Sequence, residues 1–421
     1  MKFLSSFIHD HKKIRLLQLV VIILAPILMY IFNNSAPAFI LFLASLLILF
    51  KTELNMYYKI SIILVDLLVV MPLVGVSNSY YLDVITQVGI YAILAIGLNI
   101  VVGFTGLLNL GYVGFYAAGA YIYAVFASSQ ANNFIPEAAA KFPISGNWFW
   151  LFLIISMVGA AGIGLLIGLP VLRLRGDYLA VVTLGFGEII RILLNNLDKP
   201  INFTNGPKGI TPIQPPELFG MVLDKPIHYY FIVLVLLLFT IIIVNRLKES
   251  RIGRAWIAIK EDEVAARTMG IPVVKMKLLA FAFGASFAGM MGVVFAAKQT
   301  FVDPMSFGFM ESIGILAMVI MGGLGSIAGA VVGAMAVIVL QLQILKDFSN
   351  FLRELSVSGA VQIPSQLDPA KYEKLVFGLI LIIMCIYRPQ GFLPVKRSLK
   401  SLNHHIKKIT ARNKDTNTIY K

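Results

Sequence analysis

The sequence predicts an all-α fold: a polytopic membrane bundle of about 10–12 transmembrane or re-entrant helices. Three observations carry that expectation. Of the 421 residues, 58% are hydrophobic and only 13% charged, whereas an ordinary soluble domain is about half apolar and a quarter charged. Apolar runs approaching membrane-crossing length, roughly 20 residues, recur from one end of the chain to the other. Positive charge, finally, is confined to a few segments between or beyond those runs.

The charge pattern decides what the net +14 means. Residues 1–15 carry a net +3, residues 245–277 a net +4 and residues 388–421 a net +8, so everything else sums to −1. The polar stretches 128–147, 196–228 and 346–374 are each neutral. Short basic segments resist translocation and stay cytoplasmic. The charge is therefore a topology signal and not a nucleic-acid footprint. Apolar runs lie near 16–32, 37–50, 60–76, 83–102, 108–127, 148–170, 178–194, 229–244, 278–297, 309–322, 326–345 and 375–387. Crossings counted from a cytoplasmic N-terminus put every basic segment inside, including Arg173 and Arg175, and every neutral stretch outside. Both termini are then cytoplasmic.

Taken in order, the first run is longer than a signal-peptide core and is followed at once by another apolar run, so it reads as an uncleaved anchor. Residues 1–79 form an N-terminal extension with about three spans, the third holding the lone acid Asp66. The core, 80–395, opens on a long apolar stretch interrupted by GFTGLLNLGYVGFYAAG, residues 103–119. Glycine weakens a helix by about 1 kcal/mol relative to alanine. Irregular backbone at membrane depth survives only where protein or a water-filled path covers it. Gly103, Thr105, Gly106 and Asn109 are thus candidates for a translocation path, with glycine-mediated helix packing as the alternative.

Farther along, Glu188 and Arg191 share a helical face with Leu184 and Asn195 and can pair at i,i+3. That face either lines the route of a solute or carries a self-neutralised pair that fixes helix rotation. Gly325, Gly329 and Gly333 repeat every fourth residue, a small-residue packing face. They follow a second break at Gly322-Gly323-Leu324-Gly325 that divides 309–345 into two passes. Glu311 reads as a helix-start acid beside the positive end of the helix dipole.

The most structured polar segment lies within 245–277: GRAWIAIKEDEVAARTMG, residues 253–270. Glu261, Asp262 and Glu263 suit a helix N-terminus. Gly270 supplies a left-handed stop and Pro272 prevents continuation. Glu263 can pair with Arg267. Glu263, Ala266 and Gly270 predict one small-residue face able to dock in a groove of another protein, against the plainer reading of a solvated helix. Residues 396–421 form a basic tail.

Several chemistries find no support. Gly-Lys occurs nowhere, so no phosphate-binding Walker A loop is present. Gly323 to Ala328 fits a loose dinucleotide pattern but lacks its strand–helix setting. The lone Cys385 forms no internal disulfide, the histidines lack metal-ligand spacing, and no nucleophile constellation stands out. Neither a cofactor nor an enzymatic activity is expected. A secondary transporter using Asp66 or Glu188 as ion site, or a membrane scaffold that recruits cytoplasmic partners, stays open on these residues alone.

Five blocks in order carry a resemblance over about residues 80–395. They are YAILAIGLNIVVGFTGLLNLGYVGFYAAGAY, LRLRGDYLAVVTLGFGEIIRILLNN with NGPKGI after it, GRAWIAIKEDEVAARTMGI, MGGLGSIAGAVVGA and YRPQGFLP. With them the chain resembles the M-type permease subunit of branched-chain amino acid ABC transporters, a wider family that also includes permeases for urea, amides and other amino acids. The resemblance implies a bacterial inner-membrane permease paired with a homologous H-type permease. It also implies two cytoplasmic ATPase subunits, which explains the missing Walker A loop, and a periplasmic substrate-binding protein. ABC permeases carry a Glu-Ala-Ala-x-x-x-Gly loop that docks on the ATPase. Here Ala265, Ala266 and Gly270 match it, with Val264 at the acid position and Glu263 one residue early, and Arg267 lies within the loop. Asn109 stands where relatives often have serine.

Overall fold

The structure is a computed structural model that describes residues 24–31, 36–51, 56–135, 142–171, 177–357, 372–388 and 390–393. Most of the first apolar run, Arg173, Arg175 and the basic tails lie outside these residues. After a helical stretch at 24–31 come α1 (Ala36–Lys51) and α2, which runs as Met56–Val65, a π turn Asp66–Val70 and Met71–Ser77. The core begins with α3 (Ser79–Asn99, ending in a π turn Ile100–Phe104) and α4 (Val113–Phe126), followed by α5 (Phe149–Val171), α6 (Asp177–Asn196) and α7 (Pro226–Glu249). Two short helices, α8 (Arg251–Glu261) and α9 (Glu263–Thr268), lead into α10 (Val273–Gln299) and α11 (Phe309–Gly322). Helix α12 (Ile327–Val339) continues through a π turn, Leu340–Ile344, into Leu345–Val357, and α13 (Glu373–Tyr387) follows. A two-residue hairpin, β1 (Glu217–Leu218) with β2 (Met221–Val222), is the strand pairing of one loop.

Six described helices are long and apolar enough to cross a membrane, and five apolar helices are shorter. Two of the short ones correct the sequence expectation. The run near 108–127 is helical only from Val113, and α11 has 14 residues, about 21 Å against a hydrocarbon core of about 30 Å. Irregular chain at 105–112 and 300–308 takes up the difference.

Helices α3 and α10 are buried along most of their length, because both are apolar on every side and have no face to give to solvent. Helix α10 packs on α3, α4 and α5, while α3 also meets α7, α11 and α12. Small residues set these crossings. A Cβ at Gly119 of α4 would collide with the Gly289 carbonyl of α10, and one at Gly89 of α3 would meet Val233 of α7. Gly333 and Gly329 of α12 lie against the Met318 and Gly322 carbonyls of α11, as the four-residue spacing predicts. Gly325 departs from that stripe: it precedes the helix, at φ +83°, because Ser326 caps α12 by accepting from Gly329 N–H.

Successive core helices alternate in direction, so the loops gather at two ends. At one end the neutral stretches interlock. Ile210 and Val302 exchange backbone hydrogen bonds at 2.8 and 3.1 Å, Gln214 N–H donates to Ala127 O at 2.8 Å, and Lys298 at the end of α10 pairs with Asp83 at the start of α3 at 2.7 Å. At the other end lie α8, α9, the two glycine breaks and residues 390–393. Basic and neutral connections are thus segregated, as the charge count requires.

Replacing Gly119 by leucine forces the α4–α10 crossing apart at a cost of about 1–3 kcal/mol or more. It is expected to lower the thermal midpoint of the detergent-solubilised protein and broaden its size-exclusion peak. Gly162→Leu, at a site with no heavy atom within 4 Å of the added carbon, leaves both unchanged.

Candidate functional site

The first break begins where α3 widens into its π turn. Thr105 Oγ1 donates back to Val101 O, and Gly106 adopts φ +72°, a left-handed conformation in which a side chain would be strained. From there the chain runs unhelical to Tyr112, yet its polar groups find partners on two other helices. Leu110 N–H donates to Thr183 Oγ1 of α6 at 3.0 Å, and Val113 N–H donates to Ser312 Oγ of α11 at 3.1 Å. Gly111 sits directly on the α6 backbone at Thr183 and Gly187. Asn109 is 1% exposed. Its Oδ1 accepts from Gly111 N–H at 3.0 Å, while its Nδ2 is buried with no partner.

The second break, Gly322 to Ser326, is held by the chain's C-terminal block. Phe392 N–H donates to Met321 O at 2.8 Å and Leu393 N–H to Gly322 O at 3.0 Å. Asn99 of α3 joins the two breaks. Its Oδ1 accepts from Gly325 N–H at 2.8 Å, its Nδ2 donates to Ser326 O at 3.1 Å, and the same Oδ1 is in the way of any Cβ at Gly103. The Gly325 N–H depends on this one buried side chain, while the Ser326 carbonyl also accepts from Ala330 N–H at 3.0 Å.

The short helix expected between the three acids and Gly270 is α9, and α8 precedes it as the first arm of a bent pair. Asp262, at φ −156° and ψ 112°, ends α8 and caps α9, its Oδ1 accepting from Val264 N–H at 2.8 Å and Ala265 N–H at 3.0 Å. Gly270 ends the turn at φ +82°. Trp256 is fully buried and donates to Met276 O at 2.7 Å, anchoring α8 on α10. Glu263 lies between Lys277 of α10 at 2.7 Å and Arg267 at 3.4 Å.

The small-residue docking face does not form as expected. Ala266 is 4% exposed and packs with Ile259 and Val273, because the bend at Asp262 rolls that side of α9 onto α10. Ala265, Arg267 and Gly270 face outward, together with Val264 at 67% and Met269 at 82% exposed. From α8, Lys260 Nζ donates to Gly103 O at 2.7 Å, and from the end of α7 Lys248 Nζ stands 5.8 Å from the Phe104 ring centre. The helix pair is thus tied directly to the first break.

Glu188 and Arg191 pair on α6 at 2.7 Å, with side chains 29% and 25% exposed, and Arg191 Nη1 lies 3.5 Å from Met305 sulfur. They sit on the flank of the helix, beside the Gly187 contact with the first break. Glu311 occupies the first turn of α11 and accepts from Tyr91 OH. Asp66 is 4% exposed where α2 enters its π turn. Asn99 and Lys260 were missing from the sequence reading. A lone amide inside the apolar run Ile90–Val102 was the one signal that Asn99 offered, and Lys260 is one lysine among several.

Crossing helices, two covered breaks and an apolar exterior define a multi-pass membrane protein of the permease class. The chain belongs to the family described as branched-chain amino acid transport system / permease component, which matches residues 80–385. It is 40% identical over 338 residues to the high-affinity branched-chain amino acid transport system permease protein LivM of Escherichia coli (strain K12), covering 75% of this chain and 70% of that protein. It is 24% identical over 343 residues to the probable branched-chain amino acid transport permease protein LivM of Methanocaldococcus jannaschii, covering 73% and 91%. Against the permease protein LivH of E. coli the identity is 23% over 320 residues, covering 72% and 91%. No solved structure gives a significant match.

Asn99→Leu leaves the buried Gly325 N–H without a partner, a cost of about 1–3 kcal/mol. It is expected to lower the thermal midpoint in detergent, and Asn99→Asp, which keeps the acceptor for Gly325, recovers part of the loss.

Proposed function

We propose that the chain is one permease subunit of an ATP-driven importer of branched-chain amino acids in the bacterial inner membrane. It pairs with a homologous H-type permease, and two cytoplasmic ATPase subunits supply the energy. A periplasmic binding protein delivers leucine, isoleucine or valine. The basic end faces the cytoplasm by the positive-inside rule, and the interlocked neutral loops meet the binding protein. The core is 80–395, preceded by the extension 1–79 and followed by the basic tail 396–421.

The observation that carries this reading is the Lys260–Gly103 hydrogen bond. It joins a helix pair at the basic end, with apolar side chains turned outward, to irregular backbone at membrane depth. An ATPase seated on Val264, Ala265, Arg267, Met269 and Gly270 displaces α9 when it closes on nucleotide. Glu263 holds α9 to α10 through Lys277, so the pair moves as a unit. Lys260 then shifts the Gly103 carbonyl, and Asn99 passes the displacement to the second break. Gly103, Thr105, Gly106 and Asn109 border the path, whose opening alternates between the two faces. The unpartnered Asn109 Nδ2 is a donor suited to a substrate carboxylate, and Glu188 with Arg191 flanks the route. Such coupling requires the ATPase to contact the two states differently.

Uptake of labelled leucine tests the whole reading in a deletion strain given this chain, its companion permease, the ATPases and the binding protein. Uptake that needs all four supports it, and uptake driven by an ion gradient through this chain alone refutes it. Val264→Glu with Met269→Glu is expected to abolish co-purification of the ATPases while leaving membrane insertion intact. Lys260→Ala removes a charge-assisted bond worth about 1.5–3 kcal/mol. Leucine uptake is expected to fall about tenfold or more with ATPase binding retained, a split that separates transmission from docking.

A further inference from the structure

We infer that the flank of α6 bearing Gly185, Glu188 and Arg191 is the seam at which this chain meets the second permease; the inference rests on the two-permease reading above. Three other spans expose apolar flanks. Helix α5 turns Ile154, Val158 and Leu166 outward, α7 turns Val235 and Ile242 outward, and α13 does the same with Leu379 and Ile382. Those surfaces suit lipid chains. Helix α6 is different: beside its exposed Ile189 and Ile192 it leaves 29% of the Glu188 side chain and 25% of the Arg191 side chain uncovered.

Glu188 lies ten residues beyond Tyr178 in a 19-residue span, about 15 Å along the helix and so near mid-membrane. Charged groups at that depth face protein or water, not hydrocarbon. Asn195 shares the flank, and its Oδ1 is buried without a partner. Gly185 has no heavy atom within 4 Å of where a Cβ would stand, which leaves room for another helix backbone to approach. Helix α6 is also peripheral within this chain, leaning mainly on α4.

Depth selects the occupant. ATPases bind at one membrane surface and a binding protein at the other, so neither reaches mid-membrane. A membrane-embedded partner does, and in the proposed assembly that is the second permease. Because Glu188 and Arg191 neutralise each other, the partner face need not be charged. It needs small side chains and a polar group to complete the shell of the pair.

The test uses the full complex in membranes, with a photo-crosslinking phenylalanine at Ile189 or Ile192 and, as controls, at Val158 or Ile382. The seam predicts adducts between this chain and the companion permease from the α6 positions and none from the controls. Adducts from Val158 or Ile382 instead, lipid-only labelling at α6, or α6 adducts of twice this chain's mass would each overturn it, the last by placing a second copy there. Affinity purification of the wild-type complex keeps the two readings apart. If the companion permease fails to co-purify, pairing itself fails. If it co-purifies without α6 adducts, only the assigned seam fails.

Discussion

A backbone N–H or carbonyl inside a bilayer has no water to bond, so every departure from a helix must be covered by protein. The rest of this molecule is arranged around that requirement at two places. At residues 105–112 the irregular chain is covered by α6 through Thr183 and by α11 through Ser312. At Gly322 to Ser326 the cover comes from Asn99 and from the backbone of Phe392 and Leu393. These contacts draw together segments 71 to 227 residues apart. The first set also fixes where the short helix α4 starts, at the end of a supported unhelical stretch.

In the proposed mechanism the same contacts form the route of motion. Hydrogen bonds that satisfy a break can exchange partners with less disturbance than a continuous helix can bend. Lys260 reaches the first break from outside the bundle, and Asn99 reaches the second break from the first. The chain from α8 to Gly103 to Asn99 to Gly325 is therefore short, built of named polar contacts, and flanked by glycine contacts that leave little slack. Helix α10, buried along most of its length, packs on α3 and its π turn.

The fold class and the grouping of the described loops at two ends were legible because hydropathy and charge act locally: apolar runs form the bundle, and loops of like charge balance keep together. The Glu188–Arg191 pair was legible because helical spacing fixes which residues are neighbours. The bend at Asp262 was less so. Three consecutive acids suit a helix start, but which of them breaks the helix depends on how Trp256 seats α8 against α10. That choice turns Ala266 inward and sends Val264 and Met269 outward, reversing the expected docking face. Likewise Gly325 fits the four-residue stripe in sequence, while the cap at Ser326 removes it from the helix.

By itself the sequence determined that this is a multi-pass helical membrane protein, where its helices are interrupted, and which of its loops share a side. Those properties follow from transfer free energies and residue propensities summed over short windows. Only the tertiary structure decided that the two breaks share Asn99, that Lys260 is bonded to Gly103, and that a charged pair lies partly uncovered on α6. Each depends on distances between residues far apart in the chain, and packing sets those distances where no local pattern records them.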